Sequence, residues 1–489
     1  MAVTVVNIIP RSRSGEIQQD SEPNLAVNPA NPQQMVASAF TFDSSGGPNR
    51  APVYVSNDGG NTWLLSSIVP SPGQTLDITL RFASTGAFLY AGIIPNDPPA
   101  PHQLEPIPRV NLLRTNQLLG PAPMDLLFNQ QNPQGVDQPY VEALTAVAGP
   151  AAGRDIVFAG NNDFSQPNQR TATLDFSSDA GGGNPGFRSM SIDARPPLAD
   201  GQDAPSIRPT IHGDGTVYGA FLHQVGVTTD VSRFPIYHVV IVRDDAFGTG
   251  NPAFGALTDP SDGQPGRFVA QNRIIPFLPP RGQPGPLGQE RIGSHLSLTV
   301  DPRPNQSGTV YIAWADLVVA PPPARLSSYT LHLRRSLDRG ITWSDDLLTI
   351  PNALNPALAI NADGKVGYLY QQLTGSVTFG MVTRTNRWET HLRRSIDGMN
   401  WDDLVLASVP ADTPPADGLP YLGDYLHLLS VGRDFYGIFS ASNRPDRNNF
   451  PNGVSYQRNA NFTSRRLLDL DNATRVSVSI DPFFFKVTE

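Results

Sequence analysis

The segment Ser336-Leu337-Asp338-Arg339-Gly340-Ile341-Thr342-Trp343 recurs as Ser56-Asn57-Asp58-Gly59-Gly60-Asn61-Thr62-Trp63, and both fit S-x-D-x-G-x-T-W. A copy one residue shorter is Ser395-Ile396-Asp397-Gly398-Met399-Asn400-Trp401. Two of the three lie in longer copies, which begin His332-Leu333-Arg334-Arg335 and His391-Leu392-Arg393-Arg394. An internal repeat limits the architecture before any chemistry is argued, because each copy must be one supersecondary unit that stacks on its neighbours. The residue types describe a turn. Ser and Asp side chains bond to backbone N–H groups one or two residues on. Gly takes a conformation that other residues resist, and Trp buries a large apolar area beneath the turn as the next strand begins. Alternating runs such as Val53-Tyr54-Val55 and Leu331-His332-Leu333 precede it, so the unit reads as a β-hairpin with a self-capped turn.

A second recurring feature opens each unit: a polar residue or Pro, an apolar alternation, then a turn and a second strand. Such starts occur at Glu22-Pro23-Asn24, Leu76-Asp77-Ile78, Asp137-Gln138-Pro139-Tyr140, Ala204-Pro205-Ser206, Gly293-Ser294-His295, Asn355-Pro356-Ala357 and Tyr421-Leu422-Gly423-Asp424-Tyr425. The spacing exceeds the ~40–50 residues of compact propeller blades, so long loops are expected, at about 93–109 and 247–288. With 48 Pro and 43 Gly spread between the strand-like runs, composition favours many short strands and turns.

The S-x-D-x-G-x-T-W turns resemble the Asp-box (BNR) turn of sialidase-like β-propellers. That resemblance implies an all-β fold over 1–489: a single β-propeller of seven blades of four antiparallel strands, or alternatively six, with Asp-box turns on the outer rim. It makes Ser56, Asp58, Gly60, Trp63, Ser336, Asp338, Gly340, Trp343, Ser395, Asp397 and Trp401 structural, far from any active site. Ser177-Ser178-Asp179-Ala180-Gly181 reads as a decayed copy with Phe187 near the Trp place. Terminal strands 2–9 and 475–486 are expected to complete one blade between them, which removes free sheet edges.

In this architecture the first strand of every blade lines the central channel, so polar residues at the strand starts are the functional candidates. Asp20, Glu22, Asp77, Asp137, Tyr140, Asp203, Arg208, Glu290, Arg291, His295, Asp424 and Tyr425 fall there. Paired carboxyls, or a Tyr with a carboxyl, suit glycoside hydrolysis; arginines hold a carboxylate by bidentate bonds. The resemblance implies Tyr425 as a nucleophile with Glu290 or Glu22 behind it and Asp137 as a further acid. Arg208, Arg291, Asp424, Tyr140 and His295 would then bind substrate. The Arg-Ile-Pro motif of sialidases does not occur in this sequence. The first expectation is therefore a non-catalytic binding or assembly module that takes a glycan or protein partner at the channel mouth or through long loops. An exo-glycosidase of sialidase type, retaining and with a Tyr nucleophile, is the alternative.

Other classes find no support. A net charge of −9 with scattered basic residues argues against nucleic acid. No run reaches the roughly 20 apolar residues of a membrane span. Met1 to Pro10 reads as a strand, with no basic n-region, so a soluble chain without a cleaved signal is expected, cytoplasmic or exported by another route. With no Cys and no H-E-x-x-H pair, neither a metal site nor a cofactor is expected.

Overall fold

A computed structural model describes residues 1–41, 50–71, 75–95, 107–166, 171–196, 205–229, 233–276, 290, 296–319, 327–375, 385–414 and 422–489. Six four-stranded antiparallel sheets follow one another along the chain. Blade 1 comprises Ser21–Val27, Met35–Phe40, Arg50–Ser56 and Leu64–Pro70. Blade 2 comprises Thr75–Phe82, Leu89–Pro95, Val110–Thr115 and Asp125–Gln130. Blade 3 comprises Val136–Thr145, Asp155–Asp163, Ala172–Ser177 and Arg188–Ser191. Blade 4 comprises Arg208–Ile211, Val217–Val227, Pro235–Asp244 and Arg267–Ile274. Blade 5 comprises Leu296–Val300, Val310–Val319, Ser327–Ser336 and Leu348–Pro351. Blade 6 comprises Ala353–Ile360, Val366–Thr374, Arg387–Ser395 and Asp402–Pro410.

The seventh sheet departs from four antiparallel strands. His427–Val431 and Asp434–Ser442 pair with Ile480–Thr488, which pairs with Ala2–Asn7 from the other end of the chain, and Ser455–Tyr456 adds a fifth strand in parallel. The innermost strand of each sheet packs on that of the next, and the seventh returns to the first. The fold is a β-propeller, and the apolar core is divided into slabs between neighbouring blades. Ile78 and Leu80 meet Val53 and Val55 between blades 2 and 1, for instance, and Phe484 meets Tyr54 and Trp63 between blades 7 and 1. Two expectations change. Ile93–Pro95 and Arg267–Ile274 are strands, so neither expected insertion is a single loop. Trp343 precedes its strand by several residues instead of opening it.

The inner edge of each first strand needs partners for its backbone N–H groups. Short polar side chains on the preceding blade supply them. Asn24 Oδ1 accepts from Leu80 N–H (2.8 Å), Thr79 Oγ1 from Val141 N–H (3.0 Å), Ser297 Oγ from Leu358 N–H (3.0 Å) and His427 Nδ1 from Leu25 N–H (3.3 Å). His427 thus ties blade 7 to blade 1. Ring closure is also held by Arg458, fully buried, whose guanidinium pairs with Asp481 (3.0 Å) and donates to the carbonyls of Ser14 and Glu16.

Candidate binding site at the channel mouth

Where the inner strands begin, three of them carry a bulge with the residue before proline at positive φ: Glu22 (52°), Gln138 (55°) and Asn355 (58°). Side chains resist this region. Its recurrence at equivalent places makes it architectural, a device that turns the strand start toward the channel. Gln138 and Asn355 use their amides as tethers, Gln138 Oε1 accepting from Ser206 N–H (3.1 Å) and Asn355 donating to Gln371 Oε1 (3.0 Å).

Around these bulges several candidates meet. The Tyr425 hydroxyl donates to Asp77 Oδ1 at 3.0 Å. Burial first, then the negative charges of Asp77 and Glu22, push the phenol well above its ordinary pKa, against a smaller opposite pull from Arg208. Tyr425 is therefore a protonated donor at neutral pH. Arg208 is buried, lies over the Tyr140 ring at 4.5 Å from its centroid and donates to Ser206 Oγ at 2.6 Å. Burial lowers its pKa, and the opposing pull of Tyr140, Tyr425, Asp77 and Asp424 only partly offsets that fall. Tyr140, Arg208, Asp424 and Tyr425 line a void of about 20 Å³, room for one water and not for a sugar ring.

Other expected residues lie elsewhere. Glu290 is fully buried and accepts from Leu422 N–H at 2.6 Å; it holds the segment leading to Asp424 and Tyr425 and does not present an acid to solvent. Asp137 Oδ1 accepts from the N–H of Gln138 (2.7 Å). Asp20 is fully buried and adds its charge to the Arg458 cluster at the ring closure. Arg291, His295 and Asp203 lie outside the described residues.

A second layer was not anticipated from the sequence. Arg81 pairs with Glu142 at 2.5 Å, and His427 Nε2 lies 3.3 Å from Arg81. Burial, and then the Arg81 charge, hold the imidazole well below its usual pKa and neutral; burial likewise raises Glu142 despite Arg81. Part of the signal is period two: Asp77 to Arg81 and Tyr140 to Glu142 lie an even number of residues apart within one strand, while Tyr425 lies just before the strand that His427 opens. Beyond this layer a cavity of about 360 Å³ opens at the strand ends, walled by Val27, Phe82, Ile211, Val300, Ile360 and Val431. Tyr140 lines both voids, so it and the Arg81–Glu142 pair form the floor between them.

The repeated turns are built quite differently. Ser56 Oγ donates to Asp58 Oδ1 (2.9 Å) and accepts from Gly60 N–H (2.9 Å), while Asp58 takes the N–H and hydroxyl of Thr62 (2.9 and 2.6 Å). Ser336, Asp338, Gly340 and Thr342 repeat every bond within 0.1 Å. In the short copy Asp397 takes the N–H groups of Met399 and Asn400 instead. The Trp63 indole donates to Gly60 O, and Trp343 to Gly340 O. Burial opposes ionisation of Asp58 and Asp338, but their hydrogen bonds outweigh it and both pKa values are lowered. For Asp397 the N–H groups of Asn400 and Met399 dominate and lower it further. Each is an acceptor in its own turn and a poor proton donor. The Arg just before the turn reaches the next blade: Arg243 donates to the carbonyl of Arg339, and Arg335 to that of Asp397 (both 2.6 Å).

Among the described residues no group of three or more His, Asp or Glu is placed to hold a metal ion, and no helix is long and apolar enough to cross a membrane. No protein-family model and no curated protein matches the chain. Among solved structures it is similar to Kuenenia stuttgartiensis hydrazine synthase, at 12% identity and TM-score 0.40 over 86% of this chain and 93% of that one. A PL25 ulvan lyase aligns at 9% identity and TM-score 0.47 over 87% and 92%. The GH93 α-L-arabinofuranosidase of Fusarium graminearum aligns at 11% identity and TM-score 0.43 over 76% and 92%. Scores this low assign no activity, and the propeller is established by the sheets themselves.

Proposed function

We propose that the protein is a non-catalytic binding or assembly module on a sialidase-like propeller, recognising a glycan or a protein partner at the channel mouth or through its long loops. What supports the non-catalytic part of this reading is that Tyr425, bonded to Asp77, lines with Arg208 and Tyr140 a void too small to take a sugar ring between them, which leaves recognition to the surface of the mouth or to the loops. A hydrolase needs its nucleophile and substrate-binding arginine open to the reacting atoms. Here Arg208 stacks on Tyr140, and the phenol is held protonated. One observation favours the second reading, an exo-glycosidase of sialidase type: a tyrosine hydroxyl bonded to a carboxylate is the start of a nucleophile–base pair. Hydrolysis of a panel of chromogenic glycosides, sialosides included, by wild type and Tyr425→Phe separates the two. The binding reading expects no turnover by either protein. Turnover by wild type that disappears in Tyr425→Phe would establish the glycosidase.

A further inference from the structure

Away from the channel, a groove of about 800 Å³ runs along the rim between the outer strand of blade 3 and the connection that follows Asp244 in blade 4. Its volume is within the range of small-ligand sites. The decayed repeat creates one wall. Where the first copy buries Trp63 within the turn, Phe187 stacks instead on Phe128 of blade 2, at 5.6 Å and 18° between planes. Phe176, Phe187 and Met190 give the groove an apolar side. On the far wall, Asp244 fixes the backbone by accepting from the N–H groups of Ala246, Gly248, Gly250 and Phe254 (2.8 to 3.1 Å), so Asn251 is presented from a rigid loop.

Part of the groove's polar capacity is taken up internally, the Thr249 hydroxyl donating to Ala246 O (2.6 Å). Arg188 is exposed, lies over Phe176 at 5.2 Å and donates to Gly248 O (3.1 Å); among the described residues it pairs with no carboxylate. That contrasts with Arg81, Arg195, Arg334 and Arg394, each bound to an acid. The side chains of Asn251 and Ser178 also line the groove without a hydrogen-bond partner among the described residues. A guanidinium, an amide and a hydroxyl thus converge beside a flat apolar wall.

We propose that this groove is a binding site for an anionic saccharide, with a sugar face against Phe187 and Met190 and its carboxylate on Arg188. A guanidinium with no ion pair of its own has donors to offer a carboxylate in paired hydrogen bonds. Arg188 and Met190 belong to the outermost strand of blade 3, so an extended peptide pairing along that strand's outer edge is the competing occupant that the test must separate. Flat apolar surface with side-chain donors at its border is what a ring bearing hydroxyls and a carboxylate needs. The site is independent of the channel mouth.

Calorimetric titration of the full chain with oligogalacturonate, a neutral maltooligosaccharide and a Glu-rich peptide tests this. Oligogalacturonate should bind, more weakly as salt rises. Its affinity should fall about 10- to 100-fold in Arg188→Ala and Arg188→Gln, the loss of a charged hydrogen bond. A smaller loss is expected in Asn251→Ala, which removes no internal bond. Near-ultraviolet circular dichroism matching wild type confirms that each variant is folded. Absence of oligogalacturonate binding, or binding unmoved by all three groove variants, would overturn the proposal. Peptide binding with the same Arg188 dependence would overturn the saccharide assignment in favour of a protein partner.

Discussion

The rim and the channel mouth both display aspartates beside hydroxyls, yet they are built in opposite ways. At the rim, Asp58 finds all its partners within four residues, and the same bonds recur at Asp338. At the mouth, Asp77 meets Tyr425 across 348 positions of sequence. The local arrangement lowers the acid's pKa and completes a turn. The distant one raises the phenol's pKa and gathers charge that no single turn requires. A recurring acid motif can therefore be entirely architectural, while the chemically poised groups carry no motif at all.

A third region sharpens the contrast, because Arg458, Asp481 and Glu16 are also distant in sequence but are wholly buried at the ring closure. Arg458→Ala should be the most damaging change, costing about 3–5 kcal/mol in denaturant unfolding, since it strands two buried carboxylates. If the loss is under about 1 kcal/mol, closure depends on the strand pairing alone.

Blade 5 offers a pH-dependent version. Burial lowers the His332 pKa, but hydrogen bonds to Asp316 and Asp346 outweigh it and raise it to about 9. With the folded value above the unfolded ~6.5, this stabilisation is fully present below about pH 6.5 and is lost as pH rises through about 9. The shift corresponds to roughly 3 kcal/mol. Stability measured from pH 6 to 10 should fall over that window in wild type and much less in His332→Gln; parallel curves would refute the assignment.

At the rim, Asp58→Ala removes the acceptor of the Thr62 N–H and hydroxyl and should cost about 2 kcal/mol, comparable to losing a strong helix cap. Thermal unfolding would show it, and glycan or partner binding should be unaffected. Arg335→Ala, which breaks the tie to the carbonyl of Asp397, should cost about 1 kcal/mol.

Much of the fold was legible because strand alternation and turn chemistry are local. All seven inner strands begin at or within a few residues of the polar starts read from the sequence, and the three repeated turns have the bonds their residue types suggest. The seventh sheet's parallel fifth strand was not legible, because Ser455–Tyr456 pairs with Val6 and Asn7 through an insertion without periodicity. The site was only partly legible. Listing polar strand starts captured Tyr425, Asp77, Arg208 and Tyr140 but could not say that Glu290 turns to a backbone N–H or that Asp20 joins Arg458. Side-chain direction at a bulge depends on register, and register is a long-range property.

The most direct measurement compares the unfolding free energies of Asp58→Ala and Tyr425→Phe in the same denaturant. The account predicts a loss of about 2 kcal/mol for the rim variant and under about 1 kcal/mol for the mouth variant, which loses one hydrogen bond of a half-buried residue. A mouth variant that loses as much as the rim variant, or more, would make the Tyr425–Asp77 cluster a structural plug and contradict the functional distinction between the two regions.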